Sequence, residues 1–348
     1  MKLPVLTVRG KAILRCCPVI ATIVLSLAVS CTYKDLCYNH EGHSGKKVDV
    51  LIRMDWGNPS EYPTGMTLMF FPQDGSAPFK YITNSVDSTV FSLPVGTYDV
   101  VAFNQTVEEY RSIAFHDMDS WDGMYISIAD DEEMPGYSRE PAEFLVATKT
   151  GFIVAQNITG SAGDDYVVMD LKTHPIAVTT TVRVLVSGLQ WARGANGHID
   201  GMAKRFYLTR NCTGRETTSF ALNGWTVTRN EADGDKLEQG IISKSFVSFG
   251  LPGVHYTQEN LEEGSNGAYI EPVQNLRLSV NILLVDMETT ISADFNVSDR
   301  YSFPENVFNM LVEVGSPPVE LPEVQGQAGG FIVTVEDWGD EVRYDVTL

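Results

Sequence analysis

Apolar and polar residues alternate with a period of two along most of the chain, and helical periodicity is almost absent. In Val48–Trp56 the apolar side chains fall on one face and the charged side chains on the other. The same alternation recurs in Ile176–Val186, Leu276–Leu284, Phe331–Val335 and Val342–Leu348. Each segment is therefore predicted to be a strand with one face on a core and one face in water.

Turn-forming residues separate these segments, as in Gly57-Asn58-Pro59 and Gly315–Pro318. Many short strands joined by such turns predict an all-β protein built of antiparallel β-sandwiches. The boundary between two sandwiches is placed at His174-Pro175, because the residue before a proline disfavours helix and a long strand follows. The N-terminal sandwich is then residues 47–175 and the C-terminal one residues 176–348.

Two stretches lack clear alternation, and both are predicted to be surface loops with partial order: Tyr110–Ser138 and Arg229–Gly240. A short sequence similarity, called here the Leu-Pro echo, links the two halves: Leu93-Pro94-Val95-Gly96 is similar to Leu251-Pro252-Gly253. Proline fixes φ and glycine permits positive φ, so the echo predicts similar strand-to-strand turns. A local turn signal explains it as well as duplication does.

The first residues carry an export signal. Four basic residues precede an apolar run, Pro18–Val29, which ends in Ser30-Cys31. A bilayer-spanning helix needs about 20 apolar residues, so this run is too short to be an anchor and is typical of a secretory signal. A cysteine directly after the cleavage position resembles a bacterial lipoprotein signal. This predicts a signal peptide at 1–30, a lipid on Cys31 and a polar tether at 31–46; the alternative is an ordinary secretory signal with a spare thiol at Cys31.

The net charge of the chain limits the classes of partner that it can bind. The chain has a formal net charge of −20, and loss of residues 1–30 removes four positive charges and no negative ones, which leaves −24. Such a chain repels nucleic acid and anionic lipid, so membrane attachment is assigned to Cys31 alone. The hydrophobic content of 43% is ample for packed cores.

Five cysteines are present. Cys16 and Cys17 leave with the signal and Cys31 is lipidated in this interpretation. Cys37 and Cys212 remain, either as a disulfide in an oxidising compartment or as two separate buried thiols.

No motif for catalysis stands out. The sequence has no phosphate-binding glycine loop, no zincin helix and no nucleophile elbow, and no two carboxylates are paired across a site by their spacing. His40 and His43 lie close together in the tether, but a structural zinc site needs four ligands. We therefore predict a protein without enzymatic activity, metal or cofactor.

The nearest approach to a calcium loop is Asp117, Asp119 and Asp122-Gly123. The third acid comes one position late, and Ile128 occupies the twelfth position, where a glutamate ligand is required. The segment is predicted to be a solvated acidic turn.

Five tryptophans could line a sugar-binding face. Core or turn packing is the commoner use of this residue in a sandwich. Trp191 and Trp225 have loop-like surroundings in the sequence, and they are the candidates for a binding surface.

Several segments together resemble the fimbrillin-related surface lipoproteins of Bacteroidetes, in particular the accessory and anchor subunits of their fimbriae. The segments that carry the resemblance are Cys31 with Tyr33–His40, Leu93–Asn104, Val182-Arg183-Val184 with Gly188-Leu189, Gly201-Met202-Ala203, and Val335–Trp338. The resemblance implies two transthyretin-like β-sandwich domains, a lipid anchor, and assembly into or beneath a surface fibre.

These observations lead to one principal hypothesis and two alternatives. The principal one is a non-enzymatic accessory or anchor subunit of a fimbria, held in the cell outer membrane through Cys31. Its partners are fimbrial subunits that add a strand to an open sheet edge. The first alternative is a surface lipoprotein that binds host glycan or matrix through Trp191 and Trp225, and the second is a secreted hydrolase.

The last segment carries its own expectation. Val342–Leu348 is predicted to be a paired strand of the C-terminal sandwich, with Val342, Tyr344, Val346 and Leu348 inward. The alternative is a strand donated to another subunit.

Overall fold

The computed structural model describes residues 46–105, 110–155, 166–229, 239–257, 268–324, 333–337 and 340–344. In these ranges the regular structure is β-strand apart from one 3₁₀ turn, Leu189–Trp191, so the all-β prediction is confirmed. None of the described segments forms a helix of the length and apolar character that a membrane crossing requires.

The strands up to residue 175 are β1 (Lys47–Asp55), β2 (Met66–Pro72), β3 (Phe79–Thr83), β4 (Ser88–Pro94), β5 (Gly96–Asn104), β6 (Ile113–His116), β7 (Tyr125–Ile128), β8 (Leu145–Val154), β9 (Val167–Lys172) and β10 (His174–Pro175). The later strands are β11 (Val178–Ser187), β12 (Ala192–Ala203), β13 (Arg205–Tyr207), β14 (Cys212–Thr213), β15 (Thr217–Leu222), β16 (Thr226–Arg229), β17 (Gln239–Ser248), β18 (Val254–His255), β19 (Tyr269–Ile270), β20 (Arg277–Leu284), β21 (Thr290–Asn296), β22 (Tyr301–Ser302), β23 (Asn309–Glu320), β24 (Val333–Asp337) and β25 (Asp340–Tyr344).

The N-terminal sandwich consists of sheet I, with the strand order β4-β1-β9, and sheet II, with the order β10-β8-β5-β2-β3. Their facing side chains form one core, in which Val50 and Ile52 of β1 are fully buried beside Leu68 and Phe70 of β2. The alternation seen in Val48–Trp56 therefore predicts the inward face of β1 correctly.

The C-terminal sandwich consists of sheet III, with the order β16-β17-β11-β23-β22, and sheet IV, with the order β15-β12-β20-β21. Phe220 of sheet IV lies 5.2 Å, between ring centroids, from Phe246 of sheet III. The predicted strands in Ile176–Val186 and Leu276–Leu284 are confirmed as β11 and β20, each with one buried face.

The two sandwiches share a pattern of pairing. The first strand of each, β1 or β11, pairs antiparallel with one neighbour and parallel with the other. The antiparallel neighbours are β4 and β17, and the Leu-Pro echo occurs at the end of β4 and just after β17. The echo therefore marks the same place in each sandwich.

Sheet V, with the order β19-β18-β14-β13-β7-β6, draws strands from both sides of residue 175. It covers the face of sheet II that points away from sheet I: Phe115 of β6 stacks on Phe103 of β5 with ring centroids 5.3 Å apart. The division of the chain into domains at residue 175 stays a prediction, and sheet V is formed across it.

The surface-loop prediction for Tyr110–Ser138 is wrong. The segment contains β6 and β7, and Ile113, Met124, Ile126 and Ile128 are buried. Alternating apolar residues are present at Met124, Ile126 and Ile128, but the strands are only four residues long and the acidic turn between them hides the pattern.

The other predicted loop, Arg229–Gly240, is described only at its ends, where β16 stops and β17 begins. At the C-terminus, β24 and β25 pair antiparallel, with Val335 opposite Val342. Pairing of the segment from Val342 to Tyr344 is thus observed, with β24 as its partner. The two strands form a separate sheet, so the prediction that this segment is a strand of the C-terminal sandwich is wrong for the described residues. Residues 345–348, and with them Val346 and Leu348, lie outside the described residues.

A single glycine permits the bulge at the centre of sheet III. Gly315 has a φ of +100°, and a Cβ on it would lie 2.7 Å from the backbone N and O of Leu185. The parallel pairing of β11 and β23 shifts register at this point, between Val184 and Val186. Any side chain at residue 315 would push the two strands apart.

Gly315→Ala should destabilise the protein by roughly 2–4 kcal/mol, because backbone strain at positive φ adds to a clash with immovable backbone atoms. Urea unfolding followed by tryptophan fluorescence measures the change. Gly136→Ala is the matched control, since Gly136 has a φ of +96° with nothing within 4 Å of the new Cβ. Equal losses in the two variants would contradict the role given to the contact with Leu185.

Candidate functional site

Among the described side chains no group of three or more His, Cys, Asp and Glu residues could hold a metal ion. Asp117, Asp119 and Asp122 stand in the turn between β6 and β7 and do not form such a group. His40 and His43 lie outside the described residues, as does Cys31.

The titratable groups with shifted pKa values have structural explanations. Burial, helped by Asp74, raises the pKa of Tyr98 to about 12, and its hydroxyl donates to the Pro94 carbonyl at 2.8 Å. The Arg215 guanidinium, which donates to both carboxylate oxygens, lowers the pKa of Glu271. Hydrogen bonds from Thr289 lower the pKa of Asp286 within a tight turn.

Cys212 is buried, and burial raises the pKa of its thiol. Its possible partner Cys37 lies outside the described residues, so a disulfide between the two stays a hypothesis.

The expectation that Trp225 lies on the surface is wrong. The side chain is 1% exposed, and its Nε1 donates to the Leu222 carbonyl at 2.9 Å. The short connection from β15 to β16 carries the chain from sheet IV to sheet III, and the indole fills the space beneath it. A turn position in the sequence is thus a core position in the fold, so Trp225 offers no ring face to a ligand.

The other described tryptophans are also used in packing. Trp56 is buried and donates to the Val86 carbonyl at 2.9 Å, and Trp121 packs edge-on against Phe71. Trp191 is half-buried in the 3₁₀ turn, and its Nε1 is buried without a hydrogen-bond partner among the described residues. Binding through Trp191 stays a prediction.

Open sheet edges are the remaining candidates for a site, and on three of the four sandwich sides the described residues span the gap between the two sheets. On one side of the N-terminal sandwich, Tyr81 of β3 and Phe91 of β4 meet with ring centroids 4.4 Å apart. On the other, the chain crosses directly from β9 to β10 at Thr173, which is tied to Asp55. The turn with Trp225 closes the third side.

The fourth side, along β21, is only partly closed by the described residues, where the chain crosses from β21 to β22 at residues 297–300. A groove with a volume of about 450 Å³ separates β21 of sheet IV from the end of β23 in sheet III. Its lining residues are Ala293, Asp294, Phe295, Asn296, Arg300, Val314, Gly315, Ser316, Pro317, Pro318 and Val319. We name this feature the β21 groove.

The two walls of the β21 groove differ in what they can bind. β21 is seven residues long, contains no glycine or proline, and pairs with β20 in unbroken register. Its other edge has no strand neighbour in the described structure. The facing part of β23 contains Pro317 and Pro318, which lack N–H donors. An incoming extended segment can therefore form an unbroken ladder with β21, whereas the two prolines interrupt pairing with this part of β23.

The alternation of β21 gives the groove its chemistry. Ile291, Ala293 and Phe295 are half-buried, and the residues between them are exposed. A segment added to β21 would place alternate side chains over Ala293 and Phe295 and the others in water. Sequence reasoning missed this site because the alternation predicts a strand and says nothing of which strand is last in its sheet.

Comparison with known proteins places this fold and assigns the family. A family model described as a domain of unknown function, DUF5119, matches residues 30–223, and the chain belongs to that family. No curated protein matches the sequence.

One of the similar solved structures shows the same fold. A candidate adhesin from Bacteroides ovatus matches with a TM-score of 0.57 and 14% identity over 80% of this chain and 94% of that one. A second candidate adhesin, from Bacteroides thetaiotaomicron, has a TM-score of 0.47 and 10% identity over 71% of this chain and 81% of that one. The fimbrial anchor protein Mfa2 from Porphyromonas gingivalis has a TM-score of 0.41 and 11% identity over 77% of this chain and 90% of that one. The β-sandwich architecture and the resemblance to fimbrillin-related proteins of Bacteroidetes are confirmed.

Trp225 and Trp191 have different surroundings, and this difference gives a prediction for stability. Trp225→Phe should cost roughly 2–3 kcal/mol, because it leaves a cavity in the core and strands the Leu222 carbonyl. Trp191→Phe should change the free energy of unfolding by less than about 1 kcal/mol, because its N–H has no partner to lose. Chemical denaturation measures both, and a larger loss for Trp191→Phe would contradict the assignment of Trp225 to the core.

Proposed function

We propose that this protein is a non-enzymatic accessory or anchor subunit of a fimbria. The observation that carries the proposal is the shared fold with a candidate adhesin, which extends over 94% of that chain. The resemblance of Cys31–His40 and Leu93–Asn104 to fimbrial subunits supports the more specific role. A surface subunit needs a rigid scaffold and a docking edge rather than a catalytic centre.

Strand addition at the β21 groove is the mechanism that we favour for assembly. The unpaired N–H and C=O groups along β21 are satisfied when an extended segment of a fimbrial subunit lies beside them. Each backbone hydrogen bond formed in this way contributes about 0.5–1.5 kcal/mol. Apolar side chains packed onto Phe295 and Ala293 add burial and fix the register.

Anchoring belongs to the same proposal. The lipid on Cys31 would hold the protein at the cell outer membrane, and the polar tether at 31–46 would give the sandwiches reach from the bilayer. One acyl chain binds a membrane only marginally, whereas two or more anchor a protein stably. Because the chain has a net charge of −20, its surface does not favour attachment to anionic lipid without the anchor.

The docking edge can be tested with one substitution inside the β21 groove. Ala293→Arg places a long charged side chain where the incoming apolar residues should lie, and we expect it to abolish co-purification with fimbrial subunits. Ser292→Arg is the matched control, because it adds the same charge to the exposed face of the same strand. A thermal melt of each variant checks that the fold is intact. Retention of the fibre protein by a folded Ala293→Arg variant would rule out this edge.

The anchor has a separate test. Cys31→Ala should release the protein from the membrane fraction or leave its signal uncleaved, because the acylated residue is missing. Fractionation and an intact-mass measurement follow both outcomes, and Cys37→Ala serves as the control. A Cys31→Ala protein of mature size that still sediments with outer membranes would refute lipid attachment at this residue.

A further inference from the structure

The outward face of sheet V carries a continuous row of polar and aromatic side chains. Strand pairing places His116 opposite Tyr125 and Tyr125 opposite Tyr207. Directly opposed residues of an antiparallel sheet share a face. The neighbouring residues Ile126 and Phe206 are buried on the inner face, so His116, Tyr125 and Tyr207 point outward. All three are half-buried.

Their rings stand side by side on the sheet. His116 and Tyr125 are stacked, with centroids 4.5 Å apart and planes 9° from parallel, and Tyr125 lies 5.4 Å from Tyr207. The rings of His116 and Tyr125 therefore cover one another's faces, whereas the planes of Tyr125 and Tyr207 are tilted by 48°. In the described structure neither tyrosine hydroxyl has a hydrogen-bond partner, whereas His116 Nε2 lies 2.8 Å from Ser127 Oγ.

Two guanidinium groups extend this row. The Cζ of Arg210 lies 3.7 Å above the centroid of the Tyr207 ring, and the Cζ of Arg205 lies 4.9 Å from that of Tyr125. Stacking on an aromatic ring holds an arginine in place and leaves its N–H groups directed sideways for hydrogen bonds. Arg205 is already paired with Glu216 at 2.5 Å, but the exposed Arg210 forms no ion pair within the described ranges.

Beside Arg210 the neighbouring strands carry glycines and polar residues, so few side chains project from this part of the surface. Gly214 and Gly253 continue the sheet without side chains, and Glu271 lies over Gly253, clamped by Arg215. A cleft of about 630 Å³ opens next to this ion pair, lined by Thr217, Gln274 and Asn275 among others. The face thus offers a charged donor, two phenol hydroxyls and, further along, amide and hydroxyl groups.

We infer that the outward face of sheet V binds an acidic glycan, with Arg210 as the residue that holds a carboxylate or sulfate group. A guanidinium donates two parallel hydrogen bonds to such a group, and Tyr207 fixes its orientation before binding, which reduces the entropy lost. The hydroxyls of Tyr125 and Tyr207 fit sugar hydroxyls or the remaining oxyanion oxygens.

Charge distinguishes a glycan from other anionic ligands. With a net charge of −20, the chain repels the dense phosphates of nucleic acid and the surface of an anionic membrane. A polysaccharide with one acidic group on every sugar or every second sugar carries less charge per unit length than duplex nucleic acid, so the repulsion is weaker. Its neutral hydroxyls match the polar side chains around Arg210. This site is separate from the β21 groove, and its occupancy does not depend on the fimbrial role.

The test measures binding of the full chain to polygalacturonate, chondroitin sulfate and neutral dextran by affinity electrophoresis at fixed ionic strength. We expect one or both acidic polymers to retard the protein and dextran to have no effect; carboxylate and sulfate are distinguished by which of the two binds more tightly. Arg210→Ala should weaken binding about tenfold or more, since a charged hydrogen bond is lost. Tyr207→Phe should weaken it about two- to fivefold through the hydroxyl alone.

Arg183→Ala is the matched control, because Arg183 is an exposed arginine on β11, outside sheet V. Its binding should equal that of the unchanged protein, and a thermal melt verifies that each variant is folded. Equal weakening by Arg183→Ala and Arg210→Ala would reduce the effect to non-specific charge and overturn the site. So would retardation by dextran, or the absence of binding to both acidic polymers.

Discussion

The need to bury both faces of sheet II dominates this structure. β2 reads Met-Thr-Leu-Met-Phe-Phe over residues 66–71, and every one of these side chains is buried. One face of the sheet packs on sheet I, and the other would expose Phe71, Val101 and Phe103 if sheet V were absent. At about 25 cal/mol per Å² of apolar surface, that exposure would be unfavourable by several kcal/mol. The two parts of the chain are therefore held together by a sheet that neither could complete alone.

This packing also decides which surfaces remain for partners. Because the inner face of sheet V is used to cover sheet II, its alternate residues are fixed outward, which sets His116, Tyr125 and Tyr207 in one row. The closed sides of the sandwiches result from rings and chain crossings that complete the cores. The side along β21 differs because a groove remains beside its chain crossing, between β21 and the part of β23 that contains Gly315 and the register shift. Both candidate surfaces are thus consequences of how the apolar cores were closed.

The sequence alone predicts the strands that have one face in water, because a polar face makes the period of two visible. Val48–Trp56 and Leu276–Leu284 are examples. The alternation does not reveal β2, because a strand with two buried faces produces a continuous apolar run. Such a run is the sequence pattern of a strand that is covered on both sides. The sequence does not predict the two strands within Tyr110–Ser138, because four-residue strands are too short to show a period. The sequence does not predict the burial of Trp225, because burial of a turn depends on contacts distant in sequence. The two candidate surfaces are hidden from sequence reasoning for the same reason.

The charge of the chain bears on what can occupy the β21 groove. Two copies of a protein with a net charge of −20 repel each other, and contact brings their surfaces within the Debye length of about 8 Å at physiological ionic strength. The exposed face of β21 adds Asp294, so a copy of this chain laid along the same edge would meet like charge. An added strand from a different subunit, with apolar residues toward Phe295 and a basic residue opposite Asp294, meets no such opposition. Net charge therefore opposes the association of two copies of this chain along β21, in keeping with the heterologous partner of the proposed function.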